Sequence, residues 1–276
     1  MKASKVRPLI LITNDDGVAS PGLMAVAAAL APLGDLLLAA PRVQQTTMGR
    51  SFPRSAGAGA IQPLGLRLGE GPSTAFAIDG SPAQAVAHAV LELADRKPSL
   101  CVSGINYGEN LGQSLTCGGT LGAAFEAASH GIPAIAVSLA VPFDLQYTSD
   151  YPDRPWGAAA SLTVSLATAV LRDGLPRDTC LLNVNVPEGA GPHTPIHRTV
   201  QSRMNYSVFR KPEKRDLDRP FRLTSDKNPE LPLAEPGSDI YAFVFEKAIT
   251  ITPISWDTSD GACWRSFPAL EEILRG

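Results

Sequence analysis

Two adjacent aspartates are where chemistry is most concentrated in this chain. Asn14-Asp15-Asp16-Gly17 follows directly on the apolar run 9–13. Carboxylates side by side at the end of a buried strand repel each other unless a cation or a proton relieves them. A hard divalent ion such as Mg²⁺ or Mn²⁺ suits oxygen ligands of this kind. Asn, Asp and Gly are also ordinary turn residues, so the motif alone reads more readily as a turn. The surroundings shift that balance: the first 60 residues hold three acidic side chains, and two of them are this pair.

Two further loops could complete a site. Residues 41–51, PRVQQTTMGRS, are long for a strand-to-helix connection, and Thr46 and Thr47 offer neutral hydroxyl oxygens. Residues 104–119, GINYGENLGQSLTCGG, are rich in Gly and Asn and lead into an expected helix at Gly119. Across residues 98–143 only Glu109 and Glu126 are charged. A helix N-terminus in such surroundings favours an anion, because its free N–H groups and dipole point outward. Thr120, in the first turn, adds a hydroxyl donor.

The elements that must position these loops alternate. Apolar runs predict strands at 9–13, 36–40, 75–79, 100–103, 134–139 and 180–184. Helices are expected at 23–33, 82–94, 119–130 and 156–171, the first two opened by Ser20-Pro21 and Ser81-Pro82 as cap plus proline. Repeated β-α alternation predicts an α/β, Rossmann-like three-layer sandwich with a mostly parallel sheet. In such sheets ligands bind beyond the carboxyl ends of the strands. The three loops then share one edge, where the Asp pair, an Asn, a hydroxyl and a helix N-terminus surround one pocket. That set points to metal-assisted phosphate ester hydrolysis.

After about residue 190 the composition changes. Residues 203–239 carry 15 charges, eight basic and seven acidic, which reads first as a solvated surface and otherwise as an arm or subunit contact. Residues 240–245 and 249–254 read as two strands forming a hairpin, and 270–274 as a short closing helix. The expected organisation is a Rossmann-like metal-binding core over 1–190, and a C-terminal hairpin, arm and tail over 191–276 that completes the core.

Global properties exclude other classes. The 276 residues carry a formal net charge of −3, which gives no basis for a nucleic-acid polymer as partner. The longest apolar run, 23–31, is about half of a membrane span, and the apolar stretch at 8–12 is too short for a signal sequence. Four cysteines, at 101, 117, 180 and 263, form no CxxC pair. A soluble, cytoplasmic protein without a membrane partner is expected. No histidine stands out as a general acid. His88 and His130 fall on expected helices, and His193 and His197 in a proline-rich stretch.

Four blocks resemble the survival protein SurE family of 5'/3'-nucleotidases: ILITNDDGVASPGL (10–23), APRVQQTTMGRS (40–51), VSGINYGENLG with GGTLGAAFEA behind it (102–127), and LNVNVP (182–187). Looser echoes are DGSPAQAV (79–86) and ITITPI (249–254). The resemblance implies one divalent metal ion, Mg²⁺ or Mn²⁺, phosphatase action on nucleoside monophosphates, and pairing into a homodimer or homotetramer through a C-terminal hairpin and tail. It implies metal ligation by Asp15, Asp16, Thr46 and Asn106, with Thr46 where the family has Ser. Asp15 and Asp16 become the catalytic pair; whether one of them acts as base or nucleophile, or a water on the ion attacks, stays open. Asn14, Asn110 and Thr120 match positions lining the phosphate pocket, and Gly119 opens the helix beneath it. Thr47, Gly118 and Gln84 depart from the family pattern and bear on substrate preference. Two other readings are a dinucleotide enzyme, disfavoured because the first turn lacks GxGxxG, and a non-catalytic metal or nucleotide sensor of the same fold.

Overall fold

A run of consecutive apolar residues becomes a strand here because both of its faces are covered. In β1 (Leu9–Thr13) Ile10 and Ile12 enter one hydrophobic cluster and Leu9 and Leu11 another. The pleat sends alternate side chains to opposite faces, so a doubly buried strand has no polar alternation. The structure, a computed structural model, describes residues 6–68, 71–146, 151–152 and 154–259. After β1 come α1 (Pro21–Leu30), β2 (Asp35–Pro41), β3 (Ile61–Leu68), β4 (Gly71–Ile78), α2 (Pro82–His88), β5 (Leu100–Tyr107), α3 (Gly119–Ser129), β6 (Ala134–Leu139), α4 (Gly157–Asp173) and β7 (Leu181–Val186). They are followed by β8 (Ile196–Arg198), β9 (Ser207–Phe209), β10 (Ser225–Lys227), α5 (Asp239–Val244) and β11 (Ile249–Ile254).

The main sheet has the order β3-β4-β2-β1-β5-β6-β7-β11-β8. From β4 to β7 every neighbouring pair is parallel, while β3 and β11 join their neighbours β4 and β7 antiparallel. Buried residues of α1 and α4 pack in the cluster with Ile10 and Ile12, and those of α2 and α3 in the cluster with Leu9 and Leu11. The result is the three-layer α/β architecture expected from the alternation. The chain leaves β1 toward β2 on one side and later returns to β5 on the other, so the β1–β5 junction is a topological switch point.

Three expectations are corrected. Residues 240–245 are not a strand: they form α5, capped by Ser238, whose hydroxyl accepts from the Tyr241 N–H. β11 therefore has no hairpin partner there and pairs instead with β7 and β8. Aromatic and branched residues suggested a strand, but Ser238-Asp239 after Gly237 was a helix-start signal that outweighed them. Second, β3 was not foreseen, because Pro63 and Gly65 interrupt its pattern; an edge strand tolerates both. Third, Ser20 occupies the N-cap of α1 but its hydroxyl makes no capping bond. Ser81, by contrast, forms a full capping box with Gln84, after which α2 runs into a π-helical turn over Ala89–Leu93. The charged 203–239 segment does contain a hairpin, β9 paired antiparallel with β10. The expected helix at 270–274 and Cys263 lie outside the described residues.

Candidate active site

Asp15 and Asp16 emerge at the carboxyl end of β1, at the switch point, and both are almost fully buried, at 3% and 1% exposure. The turn that carries them is closed by Asn14. Its Nδ2 donates to the Gly17 carbonyl at 3.1 Å, and its Oδ1 accepts the Gly17 N–H at 3.2 Å. Asn14 thus holds the turn from within; it does not line the cleft described below.

Each carboxylate is oriented by specific donors. Thr120 Oγ1 donates to Asp15 Oδ1 at 2.7 Å, and the Thr120 backbone N–H also favours the Asp15 charge. The Tyr107 N–H donates to Asp16 Oδ2 at 3.0 Å, and Gln44 Nε2 lies 3.5 Å from Asp16 Oδ1. The Tyr151 hydroxyl donates to the Asp16 carbonyl at 2.6 Å. These donors do not offset the loss of water. Burial pushes the Asp15 carboxyl up to about 6. Burial, and then the neighbouring Asp15 charge, raise Asp16 well above the usual carboxylate range. Two desolvated acids that resist ionisation together mark a place where a cation lowers the energy.

Asn106 reaches the same place through a distortion of β5. The β5–β6 register shifts between Ser103 and Asn106. Gly104 sits there at φ +136°, and a Cβ on it would lie 2.3 Å from the Val137 carbonyl oxygen. Only glycine fits that backbone. Asn106 Nδ2 donates to the Gly108 carbonyl at 2.6 Å, which leaves Oδ1 as its oxygen for a cation.

Thr46 arrives from the loop after β2. That loop is tied down by the Gln45 N–H to the Asp15 carbonyl, 2.7 Å, and the Gly49 N–H to the Cys117 carbonyl, 2.9 Å. Thr46 Oγ1 is buried without a hydrogen-bond partner. Such an atom costs free energy unless it is used. Among the described residues no three His, Cys, Asp or Glu gather as metal ligands. Any cation here therefore rests on two carboxylates plus neutral oxygens. The orphaned Thr46 hydroxyl, the Asn106 amide oxygen and the two raised carboxyls suit a hard divalent ion.

The N-terminus of α3 closes the floor. A Cβ on Gly119 would stand 2.7 Å from Asp15 Oδ2 and equally close to its Cβ, so glycine is what allows the helix end to reach the aspartate. Asn110 lies beside it, its Nδ2 donating to Ser138 Oγ at 3.0 Å and lying 3.4 Å from Thr120 Oγ1. At the departure position Gly118, a Cβ would fall 2.3 Å from Asn110 Oδ1, so the Asn110 amide occupies the space that a serine would need.

Asp15, Thr46, Asn106, Asn110 and Gly118 line one cleft of about 450 Å³. Asp16, Gly119 and Thr120 lie in its buried foundation. Further contributors have no assigned role from sequence. Asn183 and Asn185 on β7 both donate to the Asn110 carbonyl, at 2.9 and 3.1 Å, and Asn185 Oδ1 accepts the Asn110 N–H at 2.7 Å. Two buried asparagines on a strand that is otherwise apolar were the signal. Gln84, another departure, pins the loop containing Thr46: its Nε2 donates to the Pro53 carbonyl at 3.0 Å. Thr47 stands exposed at φ +65° and lines the same cleft beside Thr46. Over the cleft stand Tyr206, Phe209 and Ser225 of the charged arm.

Comparison with known proteins agrees with this geometry. A family profile described as Survival protein SurE matches residues 10–208. The chain is 37% identical over 275 residues to a protein of Methanocella arvoryzae named 5'-nucleotidase SurE, covering 96% of this chain and 97% of that one. A protein of the same name from Thermococcus kodakarensis is 36% identical over 251 residues, covering 90% and 92%. The crystal structure of the SurE protein from Aquifex aeolicus superposes with a TM-score of 0.72 at 29% identity, over 96% of this chain and 100% of that one.

Proposed function

The chain belongs to the survival protein SurE family, and from that premise we propose that it is a metal-dependent phosphatase that hydrolyses nucleoside monophosphates to nucleoside and phosphate. The observation that carries the reading is the meeting of the buried Asp15–Asp16 pair with the unpartnered Thr46 hydroxyl at the foot of α3. Asp15, Asp16, Thr46 and Asn106 would hold one divalent ion, Mg²⁺ or Mn²⁺. When bound, that ion supplies Lewis-acid polarisation of a phosphoryl oxygen and activation of a water.

The chain's own groups do the rest. The α3 N-terminus, free of acidic residues in its first turn, offers backbone N–H groups to phosphate oxygens. The Asn110 side chain braces that helix end through Ser138 and Thr120, and its backbone is held by Asn183 and Asn185. Thr120 holds Asp15 in one rotamer, so the carboxylate need not reorganise during the reaction. The buried floor excludes bulk water from the acid pair, which strengthens each of these interactions. The test is phosphate release from nucleoside 5'- and 3'-monophosphates and from an aryl phosphate, with Mg²⁺ or Mn²⁺. Release that stops on chelation with EDTA and returns with metal supports the reading; release that survives chelation refutes it.

The same family membership supports a homodimer or homotetramer. Leu217, Phe221 and Leu223 of the arm are exposed large apolar side chains that self-association would cover. Light scattering on the purified protein tests this. No helix among the described residues is long and apolar enough to cross a membrane. Among the described residues Cys101, Cys117 and Cys180 are free thiols, which supports a reducing compartment such as the cytoplasm.

A further inference from the structure

Glu109 is a charged group in the cleft that phosphate chemistry does not explain. It is one of two acids in residues 98–143. The other, Glu126, is neutralised by Arg50 at 2.8 Å and faces His130 at 3.1 Å. Glu109 makes no salt bridge among the described residues. It lines the cleft next to Asn110 and is half-buried. Burial raises its carboxyl above the usual range, and the Tyr206 hydroxyl, approaching from the arm, and the Lys227 charge act against that rise; Gln146 Nε2 lies 3.4 Å from its Oε2.

A carboxylate at this position repels a phosphate dianion, so the phosphate end of a substrate lies away from it, at the α3 N-terminus and the acid pair. What a carboxylate in a cleft binds well, when no close ion pair occupies it, is a neutral group with hydroxyl donors. A carboxylate is acceptor-only with two oxygens, the complement of the vicinal hydroxyls of a ribose. The arm bounds the same end of the cleft with Tyr206 and Phe209, the latter 70% exposed.

We infer that Glu109, held under the arm by Gln146 and Tyr206, accepts hydrogen bonds from the sugar hydroxyls of the substrate and makes the enzyme select ribonucleotides over 2'-deoxyribonucleotides. The inference rests on the nucleotidase reading above. It separates the cleft into a phosphate half built by β1, β5 and α3 and a sugar half built by Glu109 and the arm. A site made to bond a hydroxyl discriminates against an analogue lacking it, because one of the acceptor's bonds is then lost inside the cleft.

The experiment measures kcat/KM for a ribonucleoside 5'-monophosphate and its 2'-deoxy counterpart, with p-nitrophenyl phosphate as a substrate without sugar, on the wild-type chain and on Glu109→Gln. The wild type is expected to favour the ribonucleotide by about tenfold or more. In Glu109→Gln that ratio is expected to fall to within about twofold of unity, with the loss carried by KM for the ribonucleotide. A wild-type ratio near one overturns the inference without any variant. A ratio unchanged by Glu109→Gln overturns it as well, and so does a variant that loses rate equally on all three substrates. Cleavage of the aryl phosphate with neither nucleotide hydrolysed refutes the nucleotidase reading itself, and the inference falls with it.

Discussion

The floor of the cleft and the arm above it use polar residues in opposite ways. In the floor, Asp15, Asp16, Thr120 and Asn110 are buried, and each is bonded to a named partner inside the fold. In the arm, Arg210 pairs with Asp226 and Arg219 with Asp216, and all four side chains are largely exposed. The arm holds far more charge, yet its pairs are screened by water and contribute little. The floor holds few charges, but they are desolvated and fixed, the condition in which a charge perturbs chemistry most. Charge density and electrostatic consequence are therefore inverted between the two regions.

The sharpest way to break this contrast is Asp16→Asn. Turnover is expected to fall by roughly 10³-fold or more, measured as phosphate release at saturating metal, while the fold is retained. Wild-type rates in this variant would reduce Asn14-Asp15-Asp16-Gly17 to a simple turn. The same variant tests the electrostatics through pH. Burial raises both acids above their unfolded range, so without divalent metal the pair favours folding below about pH 4. That contribution is lost as pH rises through about 6, the raised position of Asp15. Both proteins keep Asp15, so the raised Asp16 carboxyl sets the difference: the thermal midpoint of the wild type in EDTA should drop relative to Asp16→Asn as pH rises above about 4, and added Mn²⁺ should close the gap.

Next in size is Gly119→Ala. Its methyl would collide with Asp15, displacing either the carboxylate or the helix end. A misplacement of that order lowers kcat by about 10²-fold, readable in steady-state kinetics. Thr46→Ala removes a candidate neutral ligand, and its metal requirement should rise by about tenfold in an Mn²⁺ titration of activity, with Thr46→Ser restoring it. The smallest effect belongs to the arm: Arg210→Gln should leave turnover within about twofold and move the thermal midpoint little. A large loss there would overturn the contrast between the two regions.

How much of this was readable from residue types differs by element. The parallel core was legible because doubly buried strands leave unbroken apolar runs, as in β1 and β6. The edge strand β3 was not, since its Pro63 and Gly65 are tolerated only because one side of the strand is unpaired. The helix α5 was misread because local propensity favoured a strand while a single cap residue, Ser238, decided the matter. The site's acids were visible through their isolation in an acid-poor stretch. The Asn183–Asn185 grip on Asn110 was not, because it joins residues more than seventy positions apart.

The amino-acid sequence by itself determined which atoms are available: a carboxylate pair after a buried strand, a hydroxyl loop, and a glycine-rich approach to a helix. Those are local matters, set by side-chain chemistry and short-range pattern. The tertiary structure alone decided that these atoms meet and what they feel. Parallel crossovers bring the three loops to one edge, the shifted register at Gly104 turns Asn106 into place, and Gly119 lets α3 touch Asp15. Burial then raises both acids and leaves Thr46 Oγ1 without a partner. Desolvation depends on everything packed around a group, so no spacing of residues along the chain can specify it.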